Sequence, residues 1–143
     1  MITLEKIERA RGELLHPANS PGRSRCVLLA EDDAALRRFI EVLLQRAGYE
    51  VVSAGDGLEA MKALLTATVH VVVTDAVMPN LSGYELCRFV RSSPHLRHLP
   101  IILLSGLDPK NAEIEQVNAF LAKPISPDDL LACIRTVCVG AAD

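Results

Sequence analysis

Four apolar runs of this chain end on residues able to do chemistry. Cys26-Val27-Leu28-Leu29-Ala30 leads into Glu31-Asp32-Asp33, and Val69 to Thr74 leads into Asp75. Ile101-Ile102-Leu103-Leu104 leads into Ser105, and Ala119-Phe120-Leu121-Ala122 leads into Lys123. Clustered carboxylates repel one another and stay ionised together only beside a cation. Their hard oxygens suit Mg²⁺, which takes one or two carboxylates, several waters and a phosphate oxygen. An ammonium and a hydroxyl opposite them match the remaining oxygens of a phosphoryl group. One carboxylate is then free to act as a nucleophile and form an aspartyl phosphate. Together the groups read as metal-assisted phosphoryl transfer onto an Asp.

Each residue also has a plainer reading. Asp32 or Asp33 can cap a helix, and Asp75 can be a turn residue before Met78-Pro79. Ser105 can open a loop, and Lys123 can be a solvated charge. The chemical reading rests on all four landing at separate run ends.

The positions of these groups follow from the elements around them. Short apolar runs without polar alternation suit strands buried on both faces, hence a parallel sheet covered by helices. Glu50-Val51-Val52-Ser53 is a further, weaker run. Between the runs lie helical periods. Leu36, Ile40, Leu43 and Ala47 share one face, and Gly48 follows as a stop. Asp56-Gly57-Leu58-Glu59 and Ser82-Gly83-Tyr84-Glu85 read as capping boxes. Asp108-Pro109 and Ser126-Pro127 each place a cap residue before a proline at the first helical position. The last helix buries Leu130, Ile134 and Val137. Five strand–helix units predict a doubly wound α/β sheet of five parallel strands with right-handed crossovers. In such a sheet, ligands bind outside the carboxyl ends of the strands, where the polar groups collect.

Residues 1–25 differ from the rest. Leu4, Ile7, Leu14 and Leu15 give a weakly amphipathic stretch, and His16 to Arg25 is rich in turn formers. Two readings stand here: a frayed helix on a tether, or a dimerisation or docking helix. Residues 26–140 form the compact domain.

Composition narrows the function. The 143 residues carry 15 basic and 18 acidic side chains, a net charge of -3. That leaves no basic field for direct nucleic-acid binding. With no Trp, two Tyr and three Phe, a stacking platform for single strands is excluded. The apolar runs fall far short of the ~20 residues of a membrane span. The charged start has no apolar core of a secretory signal. Cys26, Cys87, Cys133 and Cys138 lack metal-ligand spacing and read as reduced core thiols of a cytoplasmic protein. His70 reads as a satisfied buried histidine in mid-strand, and His95 and His98 as solvated.

The pattern resembles the receiver domain of two-component response regulators, the flavodoxin-like family that includes the chemotaxis regulator. Val27 to Asp33 looks like its acidic strand end, and Val71 to Gly83, with Met78-Pro79, like its phosphoacceptor loop. Ile101 to Gly106 matches its switch hydroxyl, and Phe120-Leu121-Ala122-Lys123-Pro124 its Lys-Pro end. The resemblance covers about residues 25–138 and implies roles for single residues. Asp75 would be the phosphoacceptor. Glu31, Asp32, Asp75 and the Val77 backbone carbonyl would hold Mg²⁺. Ser105 would bond a phosphoryl oxygen, and Lys123, before a cis bond to Pro124, would pair with another. Phe120 would be the aromatic switch. Asp33 would cap the first helix. A sensor histidine kinase or histidine phosphotransfer protein would supply the phosphoryl group, and an unidentified downstream protein would read the state. A homodimer stays open, as does the choice between a stand-alone regulator and part of a larger protein.

The chain also departs from the family pattern. Ser105 to Lys123 is about one helical turn short, and Gln116-Val117-Asn118 stands where Gly-Ala is customary. A short or distorted helix is expected there. The resemblance implies that the side chains of Val77 and Leu107 flank the path of a hydrolytic water; both are apolar, which implies slow loss of the phosphate, although Gly106 leaves room for water. Two other functions compete: a phosphate-independent interaction module, and an aspartyl-phosphate phosphatase. The second needs an Asp two residues beyond the nucleophile, where this chain has Val77. The receiver resemblance describes a signalling switch, not an enzyme.

Overall fold

The computed structural model describes residues 25–106 and 116–140. Five strands form one parallel sheet: β1 (Cys26–Ala30), β2 (Glu50–Ala54), β3 (Val71–Asp75), β4 (Ile101–Ser105) and β5 (Ala119–Ala122). Four helices lie among the described residues: α1 (Ala34–Arg46), α2 (Gly57–Thr66), α3 (Gly83–Ser92) and α4 (Pro127–Gly140). The strand order is β2-β1-β3-β4-β5. This is the expected flavodoxin-like arrangement. The expectations for residues 1–24, the Asp108-Pro109 helix start and the shortened helix lie outside the described residues.

β1, β3 and β4 are buried along their whole length and almost wholly apolar because both faces of the sheet are covered there, whereas the edge strand β2 carries exposed Glu50 and Ser53. Alternate side chains point to opposite faces, so each strand feeds two cores. Val27, Leu29, Val71, Val73, Ile102 and Leu104 pack under Ile40 and Leu44 of α1 and Leu130 and Ile134 of α4. Leu28, Val72, Ile101 and Leu103 pack on the other face under Ala60 and Leu64 of α2 and Leu86 and Val90 of α3.

The helix ends follow from local chemistry. Asp33 caps α1, its Oδ1 accepting from Ala35 N at 2.9 Å and Leu36 N at 3.1 Å. Ser82 and Glu85 complete the expected capping box of α3. At α2 the box is only half formed. Asp56 accepts from Glu59 N at 2.8 Å, but the Glu59 carboxylate bonds Gly55 N at 2.9 Å, one residue earlier than a box requires. Gly48 ends α1 at φ +98°, a conformation that glycine adopts without strain.

Further details differ from the sequence reading. Leu44, not Ala47, completes the buried stripe of α1, because Ala47 already lies at the exposed cap. β3 starts at Val71, and His70 is half-buried just before it, not buried in mid-strand. His70 is nonetheless satisfied: its Nδ1 accepts from Cys26 N at 2.9 Å.

Candidate functional site

The strand order reverses at β1, whose neighbours β2 and β3 are reached by opposite crossovers. The crevice at the carboxyl ends of β1 and β3 is therefore the natural ligand site. Glu31 and Asp32 follow β1, and Asp75 ends β3. One carboxylate oxygen from each lies within 4.8 Å of the others. Glu31 is fully buried, Asp75 is 7% exposed and Asp32 is exposed.

Lys123, just beyond β5, completes the arrangement. Its Nζ donates to Glu31 Oε1 at 2.9 Å and stands 3.2 Å from Asp75 Oδ2. The other Glu31 oxygen accepts from Asp33 N at 3.1 Å. Burial pushes the Glu31 carboxyl above the usual range; Lys123 and the Asp33 amide pull against that shift, and Asp75 reinforces it. Asp75 is raised for the same first reason, with Lys123 opposing and Asp32 adding repulsion. Burial alone would depress the Lys123 ammonium, but its two carboxylate partners outweigh it and hold the ammonium above its ordinary value. The site carries more negative charge than one lysine offsets.

The supporting loops are tightly fitted. Gly83 sits against the end of β3, and a Cβ there would lie 2.0 Å from the Asp75 carbonyl oxygen. Gly57 meets the same loop from α2, where a Cβ would lie 2.1 Å from Leu81 O. Asn80, at φ +69°, donates from Nδ2 to Asp56 Oδ2 at 2.8 Å and ties the loop after β3 to the cap of α2. Val77 turns its side chain outward, 67% exposed, between buried Ala76 and Met78. Arg37 of α1 donates from Nη1 to Glu31 O at 2.8 Å and fixes the acidic turn from outside. The sequence reading missed Arg37 and the Asp56–Asn80 tie. Arg37 follows Glu31 by six residues, one turn into α1, which is the one signal that could have marked it.

Of the remaining sequence candidates, Ser105 falls on the same rim, while Phe120 lies within β5 opposite Leu103. Ser105 ends β4, buried, and its carbonyl accepts from Lys123 N at 2.8 Å. Phe120 is half-buried against the α2–α3 core. The Lys123–Pro124 bond is cis, as the resemblance implied. Leu107 lies outside the described residues.

Comparison with known proteins agrees with this fold. The family model of the response regulator receiver domain matches residues 27–135. The chain belongs to that family. Its receiver fold superposes on the chemotaxis response regulator CheY4 of Vibrio cholerae with a TM-score of 0.76 at 31% identity, covering 80% of this chain and 99% of that one. A putative response regulator from Chloroflexus aurantiacus gives 0.77, also at 31% identity, covering 82% and 99%. Among curated relatives, Protein PilG of Pseudomonas aeruginosa is 29% identical over 76% of this chain and 84% of its own length. The sensor kinase/phosphatase CqsS of Vibrio cholerae is 36% identical over 80% of this chain, but only 18% of its own length. The transcriptional regulatory protein GltR of Pseudomonas aeruginosa is 33% identical, and 48% of it is covered. The receiver domain thus spans less than half of several relatives it matches. No described helix is long and apolar enough to cross a membrane.

The receiver's acidic set fits a hard divalent cation. Oxygens within 4.8 Å of one another can converge on one small cation, and Mg²⁺ takes such hard oxygen donors. The donors are all carboxylate oxygens, and their uncompensated charge favours a cation over water.

Proposed function

We propose that this receiver domain accepts a phosphoryl group from phosphohistidine onto Asp75. The observation that carries the reading is the setting of the Asp75 carboxylate. It is nearly buried, 3.2 Å from an ammonium and within 4.8 Å of two further carboxylates. Glu31, Asp32, Asp75 and the Val77 carbonyl would hold Mg²⁺. Bound there, the ion supplies positive charge to the oxygens of the incoming phosphoryl group.

An Asp75 oxygen attacks phosphorus. The P–O bond forms as the P–N bond breaks, and the electron pair returns to the imidazole, which takes a proton from solvent. Lys123 moves from its carboxylate partners to one phosphoryl oxygen, and the Ser105 hydroxyl donates to another. Phe120 responds to the movement of Ser105 and changes the surface that a downstream protein reads. The donor is a sensor histidine kinase or a histidine phosphotransfer protein in the cytoplasm. The domain acts as a switch and turns over no external substrate beyond its own phosphoryl group.

The test is to incubate the protein with acetyl phosphate, with and without Mg²⁺, and weigh it intact. The expected result is one added phosphoryl mass, dependent on Mg²⁺. No added mass under either condition overturns the reading and favours a phosphate-independent interaction module.

A further inference from the structure

Arg91 lies in the last turn of α3, at the end of the sheet opposite the acidic site. Its half-buried guanidinium engages two separate segments. Nε donates to Gln116 O at 2.9 Å, and Nη2 donates to Asn118 Oδ1 at 2.8 Å. Nη1 donates to Arg97 O at 2.9 Å and Leu99 O at 2.7 Å. One segment leads into β4 and the other into β5. All four acceptors are uncharged, so the planar fork recognises their positions and not their charge.

Asn118 links this fork to the sheet. Its Oδ1 also accepts from Ile101 N at 2.9 Å, and its own N donates to Ile101 O at 2.8 Å. This is the first rung between β4 and β5. The pairing then runs from Ile102 and Ala119 to Ser105 and Ala122, and Lys123 N closes it on Ser105 O. The two strands start at the Arg91 knot and end on Ser105 and Lys123.

β5 needs such a pin. Among the described residues it is a four-residue edge strand, paired on one side only. Its Ala-Phe-Leu-Ala sequence is apolar on both faces, so side-chain pattern alone distinguishes registers weakly. A slip of one residue moves the strand about 3.3 Å and turns each side chain to the other face. That shift would remove Lys123 from both carboxylates.

We infer that Arg91, acting with Asn118, is a positioning residue that sets the register of β5 and so delivers the Lys123 ammonium to the acidic site. The consequence for phosphorylation rests on the reading of Asp75 proposed above, while the placement of Lys123 does not.

The experiment measures both. Trace acylation of the folded full chain with acetic anhydride reports the reactivity of Lys123, with exposed Lys62 as the internal standard. Rates of phosphorylation by acetyl phosphate with Mg²⁺ are measured on the same proteins. Arg91→Ala and Asn118→Leu should raise Lys123 acylation relative to Lys62 several-fold and slow phosphorylation by about tenfold or more. Arg91→Lys should fall between Arg91→Ala and wild type. Asn118→Asp keeps the acceptor oxygen and should behave as wild type in both assays. A role in stability alone would not move the Lys123/Lys62 ratio of the folded protein. If Arg91→Ala does not fold, the contrast between Asn118→Leu and Asn118→Asp decides. An unchanged acylation ratio in folded Arg91→Ala or Asn118→Leu overturns the inference. Absence of phosphorylation in wild type would instead defeat the Asp75 reading and leave the acylation result to judge Arg91.

Discussion

The Lys123 ammonium stands 3.2 Å from Asp75 Oδ2, reaching from the edge strand β5 past β4 to the end of β3. The same ammonium is 2.9 Å from Glu31. One cation therefore serves two carboxylates that burial already disfavours as anions. The resting site holds unspent negative charge, and that charge is what a divalent cation and then a phosphoryl group can exploit.

Stability without metal should show that cost. Glu31 and Asp75 are both raised in the folded state. A raised carboxyl stabilises the fold below its unfolded value near pH 4, and that contribution is lost as pH rises through the folded value. At neutral pH in EDTA, Asp75→Asn should melt a few degrees above wild type, since the amide mimics the neutral acid. Mg²⁺ should raise the melting temperature of wild type more than that of Asp75→Asn. Calorimetry with and without Mg²⁺ checks both; a lower melting point for Asp75→Asn in EDTA contradicts the charge argument.

Gly83 should tolerate no side chain. The added Cβ would meet backbone, 2.0 Å from Asp75 O, so α3 must shift away from the site. Gly83→Ala should destabilise by about 3 kcal/mol or more. Gly106, where a Cβ would meet no described residue within 4 Å, is the control, and Gly106→Ala should lie within about 0.5 kcal/mol of wild type. Urea unfolding midpoints distinguish the two.

Much of this site is legible in the sequence. Apolar runs fixed where strands end, and the end of a parallel strand is a defined place, so Glu31, Asp32, Asp75, Ser105 and Lys123 could be collected on one rim. The Arg91 fork was not legible. Three of its four acceptors are backbone carbonyls, and a carbonyl has no letter in the sequence. His70 was misplaced for a related reason. Its bond to Cys26 N spans 44 residues and belongs to the start of the β1–β3 pairing, which hydropathy does not mark. Leu44 was missed because the period was followed to Ala47, past the end of the buried face.

The exposed Val77 side chain bears on how long a phosphate would survive. It stands two residues beyond Asp75, 67% exposed, and can neither donate to nor accept from a water. Val77→Asn should speed loss of phosphate several-fold, and Leu107→Glu should add to it. Release of inorganic phosphate from purified phosphoprotein measures this. Equal or slower loss in the double variant contradicts the account.

The thiols should be inert. Burial pushes Cys87 and Cys133 up to about 12; nearby arginines oppose this weakly at Cys87, and Asp129 adds to it at Cys133. Both remain thiols near pH 8, where a free cysteine is partly thiolate. Iodoacetamide at pH 8 should modify them at least a hundredfold more slowly in the native protein than in urea. Because both values are raised, their contribution to stability is complete below about pH 8.5 and declines from there towards 12. Rapid native alkylation at either position contradicts the buried assignment.

The most direct measurement asks which side chain carries the phosphoryl group. An acyl phosphate is reduced by borohydride to an alcohol, which turns a phosphorylated Asp into homoserine. The protein is treated with acetyl phosphate and Mg²⁺, reduced, digested and sequenced by mass spectrometry. The account predicts homoserine at position 75, only after phosphodonor treatment, and none in Asp75→Asn. Homoserine at Asp32 or elsewhere, or added phosphate without any reducible acyl group, contradicts it.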